Sequence, residues 1–140
     1  MDILLVEDNQ DHAELTRRVL EGVQATNPVH WVKDGQEALD YLFQKGPYVS
    51  AKRPGLILLD INLPKVSGLD VLKTIKADND LRLIPVIMLT TSDRDEEVVK
   101  SYSIGANSFI TKPVKFNEFS AKVNELKLYW LFTNRSPKSE

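Results

Sequence analysis

Three runs of four apolar residues, Ile3-Leu4-Leu5-Val6, Leu56-Ile57-Leu58-Leu59 and Val86-Ile87-Met88-Leu89, each stop at a polar side chain. A strand sends successive side chains to opposite faces, so a run without a polar residue is covered on both. Between these runs apolar residues recur at helical spacing. Strands buried on both faces and separated by helices leave few architectures open. The pattern predicts an α/β fold, a parallel sheet with helices on both sides.

The remaining elements fall into the same alternation. Asn9 or Asp11 can cap a first helix carrying Leu15, Val19 and Val23, with Leu20 beside them. Pro28 breaks that segment, and Val29-His30-Trp31-Val32 reads as a short second strand. Asp34-Gly35 turns the chain into a helix with Ala38, Leu39, Leu42 and Phe43, and the stretch from Gln44 to Gly55 is a polar surface loop. Val71, Leu72 and Ile75 belong to a helix beginning near Gly68. Thr91-Ser92-Asp93 opens another, with Val98, Val99 and Tyr102, which Gly105 ends. Ser108-Phe109-Ile110 is the last short strand, and Phe116 starts the final helix. A chain of 140 residues in this pattern, with no repeat or linker, is expected to hold a single domain.

Composition excludes several functions. With 18 basic and 20 acidic residues the net charge is −2, which gives no bulk attraction to nucleic acid or anionic lipid. Cysteine is absent, so disulfides, thiolate catalysis and cysteine–zinc sites are ruled out. His12 and His30 lie at no familiar metal-binding spacing, and both read as ordinary surface or strand positions. The start of the chain lacks the features of a signal peptide, and no stretch approaches the ~18 apolar residues that span a membrane. A cytoplasmic protein without nucleic-acid or membrane partners is expected.

The polar residues just past each run carry the chemistry. Ile3–Val6 delivers Glu7 and Asp8, Leu56–Leu59 delivers Asp60, Val86–Leu89 delivers Thr90, and Lys112 comes after the last strand. In open α/β sheets the carboxyl edge is where ligands bind. One acid at a strand end is commonly just solvated. Three on neighbouring ends repel one another unless something offsets them, and a hard divalent cation such as Mg²⁺, which prefers oxygen ligands, suits the task. Asp60 could itself serve as a nucleophile, because carboxylates form acyl phosphates in several phosphotransfer systems. A phosphoryl group there would need a cation, an ammonium and a hydroxyl around it, and Lys112 and Thr90 can provide the last two.

Taken together, Glu7-Asp8, Asp60 with Asn62, Pro64 and Gly68, Thr90, Gly105-Ala106 and Phe109-Ile110-Thr111-Lys112-Pro113 resemble a response-regulator receiver domain. The likeness runs from residue 2 to about 127. It implies a doubly wound (βα)5 sheet of five parallel strands in the flavodoxin-like order 2-1-3-4-5. It also implies transfer of a phosphoryl group from the phosphohistidine of a sensor histidine kinase to Asp60. Such a protein is a phosphoacceptor that assists its own phosphorylation and dephosphorylation, not a conventional enzyme. Mg²⁺ would be held by Asp8, Asp60 and the backbone carbonyl of Asn62, with Glu7 acting through water. Thr90 would turn toward the phosphoryl oxygen and Phe109 would swing inward behind it, altering the face formed by the fourth helix, last strand and last helix. The Lys112–Pro113 peptide is usually cis in the family. Departures are small: Phe109 replaces a frequent Tyr, Leu63 a common Met, and Thr91 a smaller residue.

The last helix predicts an inward stripe at Phe116, Phe119, Val123 and Leu126. Beyond it, Leu126-Lys127-Leu128-Tyr129-Trp130-Leu131-Phe132 has almost no polar face. The expected organisation is a receiver domain over 1–127 and an aromatic helical extension with a polar tail over 128–140. Phe119, Leu128, Trp130, Leu131 and Phe132 are expected to form a homodimer or partner surface, and the chain to be a stand-alone receiver. The long Gln44–Gly55 loop, the motif around Asp60 and the aromatic tail resemble the small response regulators paired with bacterial and cyanobacterial phytochrome kinases.

Other readings fit less well. A haloacid-dehalogenase phosphatase needs an acid two residues after its nucleophile, where Asn62 stands. A flavodoxin binds phosphate in the loop after the first strand, which here is acidic. A receiver-like module that works by binding alone would not need the full set of acids, Thr90 and Lys112.

Overall fold

The computed structural model describes residues 2–23, 28–91 and 95–125. Its strands are β1 (Ile3–Val6), β2 (Val29–Val32), β3 (Leu56–Asp60), β4 (Val86–Thr90) and β5 (Ser108–Thr111). The helices are α1 (Gln10–Val23), α2 (Gly35–Leu42), α3 (Gly68–Ala77), α4 (Asp95–Ile104) and α5 (Phe116–Glu125). All strand pairs are parallel and the order is β2-β1-β3-β4-β5, as expected.

The unbroken apolar runs are explained by the two cores they feed. Leu4, Val6, Ile57, Leu59, Val86 and Met88 pack with residues of α2 and α3. Their neighbours Ile3, Leu5, Leu56, Leu58, Ile87 and Leu89 face the opposite way, onto α1 and α5. Every one of these strand residues is fully buried. At ~1.5–3 kcal/mol for a large apolar side chain, this two-sided burial is the main force holding the sheet in place.

Three helices turn differently from the expectation. In α1 the inward positions are Ala13, Thr16 and Leu20, while Leu15 is 51% exposed. In α4 Ser101 is buried and Tyr102 faces outward. In α5 Phe119 and Val123 are buried, but Phe116, at the first position of the helix, is 49% exposed. The cause in α1 and α4 is the same: a small hydroxyl residue fills the tight inward position, so an apolar count alone selects the wrong stripe. Phe119 corrects a second expectation. It is fully inside the core between α1 and the sheet, and so cannot contribute a partner surface. Leu126, Leu128, Trp130, Leu131 and Phe132 lie outside the described residues.

Two glycines set the loops at the sheet's carboxyl edge. A Cβ on Gly68 would stand 2.0 Å from the carbonyl oxygen of Asp60, and one on Gly35 would stand 2.0 Å from that of Val66. Gly35 is therefore required by close approach of two backbones rather than by a turn. Its helix is capped by Asp34, whose carboxylate accepts from the Glu37 amide at 2.7 Å. The Gln44–Gly55 segment is more tied down than a polar loop suggests. Gly46–Tyr48 forms a 3₁₀ turn, the Tyr48 hydroxyl donates to Glu37, and its ring lies 5.1 Å from that of Tyr41. The Glu37 hydrogen bond pushes the Tyr48 phenol up to about 12. Among the described residues no helix is long and apolar enough to cross a membrane.

Candidate functional site

Register brings the acids together. Val6 pairs with Leu59 across β1 and β3, so one residue further on Glu7 and Asp60 come side by side. Asp60 in turn pairs with Leu89, which places Thr90 at the end of the neighbouring strand. Thr90 pairs with Thr111, and the chain then delivers Lys112. The Lys112 amide donates to the Thr90 carbonyl at 2.6 Å, and the Lys112–Pro113 peptide is cis.

Lys112 reaches back over this edge, and its ammonium donates to Glu7 Oε1 and Asp60 Oδ2, both at 2.8 Å. A third contact, at 3.1 Å, goes to His12 Nδ1. Asp60 Oδ1 accepts from the Asn62 amide at 3.0 Å, and Glu7 Oε2 from the Asn9 amide at 3.1 Å. Glu7 is 0% exposed and Asp60 3% exposed, while Asp8 faces solvent. Each of the three acids offers an oxygen, and these oxygens lie within 4.8 Å of one another. Asn62, expected to lend a carbonyl to a cation, is itself exposed and adjoins the group through its amide.

The electrostatics reflect this crowding. Burial, and then the charge of Asp60, raise the Glu7 carboxyl to about 7, against the lowering pull of hydrogen bonds from Lys112 and Asn9. For Lys112 burial pulls downward, but its hydrogen bonds to Asp60 and Glu7 outweigh that and the ammonium is held above its ordinary value. With all three acids ionised, one ammonium leaves two negative charges without a counterion. An all-oxygen donor set with excess negative charge and one member open to water fits a hard divalent cation.

Thr90 is buried beside Asp60 on the adjacent strand. Phe109 is half-buried, meets Tyr102 edge-on with ring centres 6.1 Å apart, and lies 5.9 Å from the Lys122 ammonium. A cavity of about 250 Å³ opens next to Lys112, walled by His12, Leu15, Thr16, Thr91, Pro113 and Val114. Two members of the site escaped the sequence reading. Trp31 donates its indole N–H to the Glu7 carbonyl at 2.7 Å, fixing the end of β1. His12, read as a surface residue, contacts Lys112. Its position early in the first helix, just after Glu7-Asp8, was the available signal.

A doubly wound five-stranded sheet with three acids, a threonine and a lysine at its carboxyl edge defines a receiver domain. The chain belongs to that family: the response regulator receiver domain matches residues 3–124. Among relatives, the probable methanogenesis regulatory protein FilR2 of Methanothrix harundinacea is 46% identical over 96% of this chain and 86% of its own. The response regulator Rcp1 of a Synechocystis strain is 38% identical over 96% of this chain and 92% of its own. Rcp1 has been solved in a Mn²⁺-bound form, which aligns with a TM-score of 0.80 over 97% of this chain and 98% of that one. The bacteriophytochrome response regulator AtBRR aligns with a TM-score of 0.84 at 47% identity, over 92% of this chain and 94% of that structure. The chain is thus a response regulator related to those of phytochrome systems.

Proposed function

We propose that this protein accepts a phosphoryl group from the phosphohistidine of a sensor histidine kinase onto Asp60, and signals through the resulting change at the α4–β5–α5 face. The observation that carries this reading is the Lys112 ammonium held at 2.8 Å from both Asp60 and Glu7. A carboxylate so placed is anchored at one oxygen by Lys112 and at the other by the Asn62 amide. In the transfer, the kinase's N–P bond breaks, its electron pair stays on the imidazole nitrogen, and a carboxylate oxygen of Asp60 bonds to phosphorus. Lys112 then has an oxygen of the phosphoryl group to pair with, and the Thr90 hydroxyl lies on the adjacent strand to donate to another.

Asp8, Asp60 and the carbonyl of Asn62 are the groups we assign to Mg²⁺, with Glu7 joined through water. When bound, the cation offsets the charge of the acids and of the incoming phosphoryl oxygens. Glu7 keeps Lys112 in place, since its own carboxylate is buried and bonded to that ammonium. Phosphoryl contact with Thr90 draws it toward the site, and the Phe109 ring turns into the space behind it. Thr90→Ala should therefore still be phosphorylated but lose the phosphate-dependent change in partner binding or assembly. Unaltered switching in that variant would contradict the coupling.

The likeness to AtBRR supports a phytochrome kinase as the donor. The receiver is assigned to 1–127, with 128–140 as an extension through which two copies pair, and we assign the protein to the cytoplasm. A bacteriophytochrome kinase carrying labelled phosphohistidine tests the pairing. Label should move to this chain within minutes and not to Asp60→Asn, whereas a kinase that keeps its label while transferring to its own regulator would contradict it.

A further inference from the structure

An ammonium has three N–H donors and no acceptor. In this protein all three of those on Lys112 are taken: one by Glu7, one by Asp60 and the third by His12 Nδ1 at 3.1 Å. The lysine side chain is only 6% exposed. Because Lys112 can only donate, His12 Nδ1 must offer its lone pair, and the neutral ring carries its proton on Nε2. The first turn of α1 sets where His12 stands. The His12 amide donates to Asn9 Oδ1 at 2.9 Å, which caps the helix immediately after Glu7-Asp8. His12 thus bridges the helix that succeeds β1 and the lysine that succeeds β5, two parts of the chain joined only by the fold.

We propose that His12 is a positioning residue for phosphoryl transfer to Asp60: its Nδ1 holds the Lys112 ammonium midway between Glu7 and Asp60. The inference rests on the phosphotransfer reading above. The third acceptor, on α1, fixes the direction in which the lysine presents its charge to a phosphoryl group arriving at Asp60. Side chains held by their own hydrogen bonds keep reacting groups in productive geometry, and small misplacements are costly in rate.

The test compares the full chain with His12→Leu, His12→Asn and His12→Gln, using acetyl phosphate and Mg²⁺ and following phosphorylation by intact mass. Leu removes the acceptor. Asn places an oxygen at the δ position now held by Nδ1, and Gln places it one bond further out. His12→Leu and His12→Gln should slow phosphorylation roughly five- to tenfold, the rate equivalent of one ordinary hydrogen bond. His12→Asn should stay within about twofold of wild type, and Mg²⁺ affinity should change little in any variant. A merely structural histidine would not be rescued selectively by Asn. Nitrogen NMR of the wild-type ring gives a readout independent of phosphorylation, with an unprotonated Nδ1 expected. Equal rates in wild type and His12→Leu, equal slowing in Leu and Asn, or a protonated Nδ1 would each overturn the proposal. If wild type itself takes no phosphoryl group, the phosphotransfer reading falls, and this inference with it.

Discussion

Glu7 and Asp60 are two carboxylates that share one ammonium, and their environments separate them. Glu7 is raised from 4.5 to about 7, mainly by burial. In the metal-free protein the folded state therefore holds a proton that the unfolded chain releases above about 4.5. This contribution to stability is complete below that pH and is lost as pH rises through about 7. Its full size is on the order of 3 kcal/mol. Urea unfolding without metal should show wild type losing more stability than Glu7→Gln between about pH 5 and about pH 8. Parallel pH profiles would contradict the assignment. Because a cation must compete with that proton, Mg²⁺ affinity should climb over the same interval. The acids, Thr90 and Lys112 were legible as residues at strand ends. The contacts of His12 and Trp31 were not, because Lys112 is 100 residues from His12 and Trp31 is 24 from Glu7. Separations of that size carry no local signal, and only the strand order closes them.

Elements are held to their places by backbone contact as much as by the cores. Gly68 opens α3, and its amide donates to the Ile61 carbonyl at 2.9 Å. With the Asp60 carbonyl oxygen 2.0 Å from where a Cβ would go, Gly68→Ala must push α3 away from the end of β3 and the loop that carries Asn62. The expected cost is about 2 kcal/mol or more, in the range of overpacked sites, together with weaker Mg²⁺ binding. Denaturant unfolding and metal titration of the variant check both, and a variant matching wild type in each would show that the loop yields freely. The strands could be read because every residue in β1, β3 and β4 is apolar apart from the closing Asp60 and Thr90. Helix faces were harder. Thr16 and Ser101 are buried hydroxyl residues, and Leu15, Tyr102 and Phe116 are exposed apolar ones. Since folded proteins keep much apolar surface in water, helical spacing alone does not fix which stripe turns inward.

At the scale of the whole molecule, the sheet gathers residues from four chain segments onto one edge, while Phe109 of β5 meets Tyr102 of α4 and Lys122 of α5. Phe119 is committed to the core, so any pairing of copies must use other residues. The apolar residues 128–132 are our candidates, because two-fold pairing needs only one self-complementary patch. In sedimentation, the full chain is expected to dimerise and a chain ending at Lys127 to run as a monomer. Monomers from both at high micromolar concentration, phosphorylated or not, would contradict that surface.

Phosphorylation of Asp60 is the claim on which the rest depends, and intact-mass measurement after incubation with acetyl phosphate and Mg²⁺ tests it without an intermediary. Wild type is expected to gain one phosphoryl group, and neither Asp60→Asn nor wild type in excess chelator to gain any. A wild type that stays unmodified, or an Asp60→Asn variant labelled as fully as wild type, would contradict it.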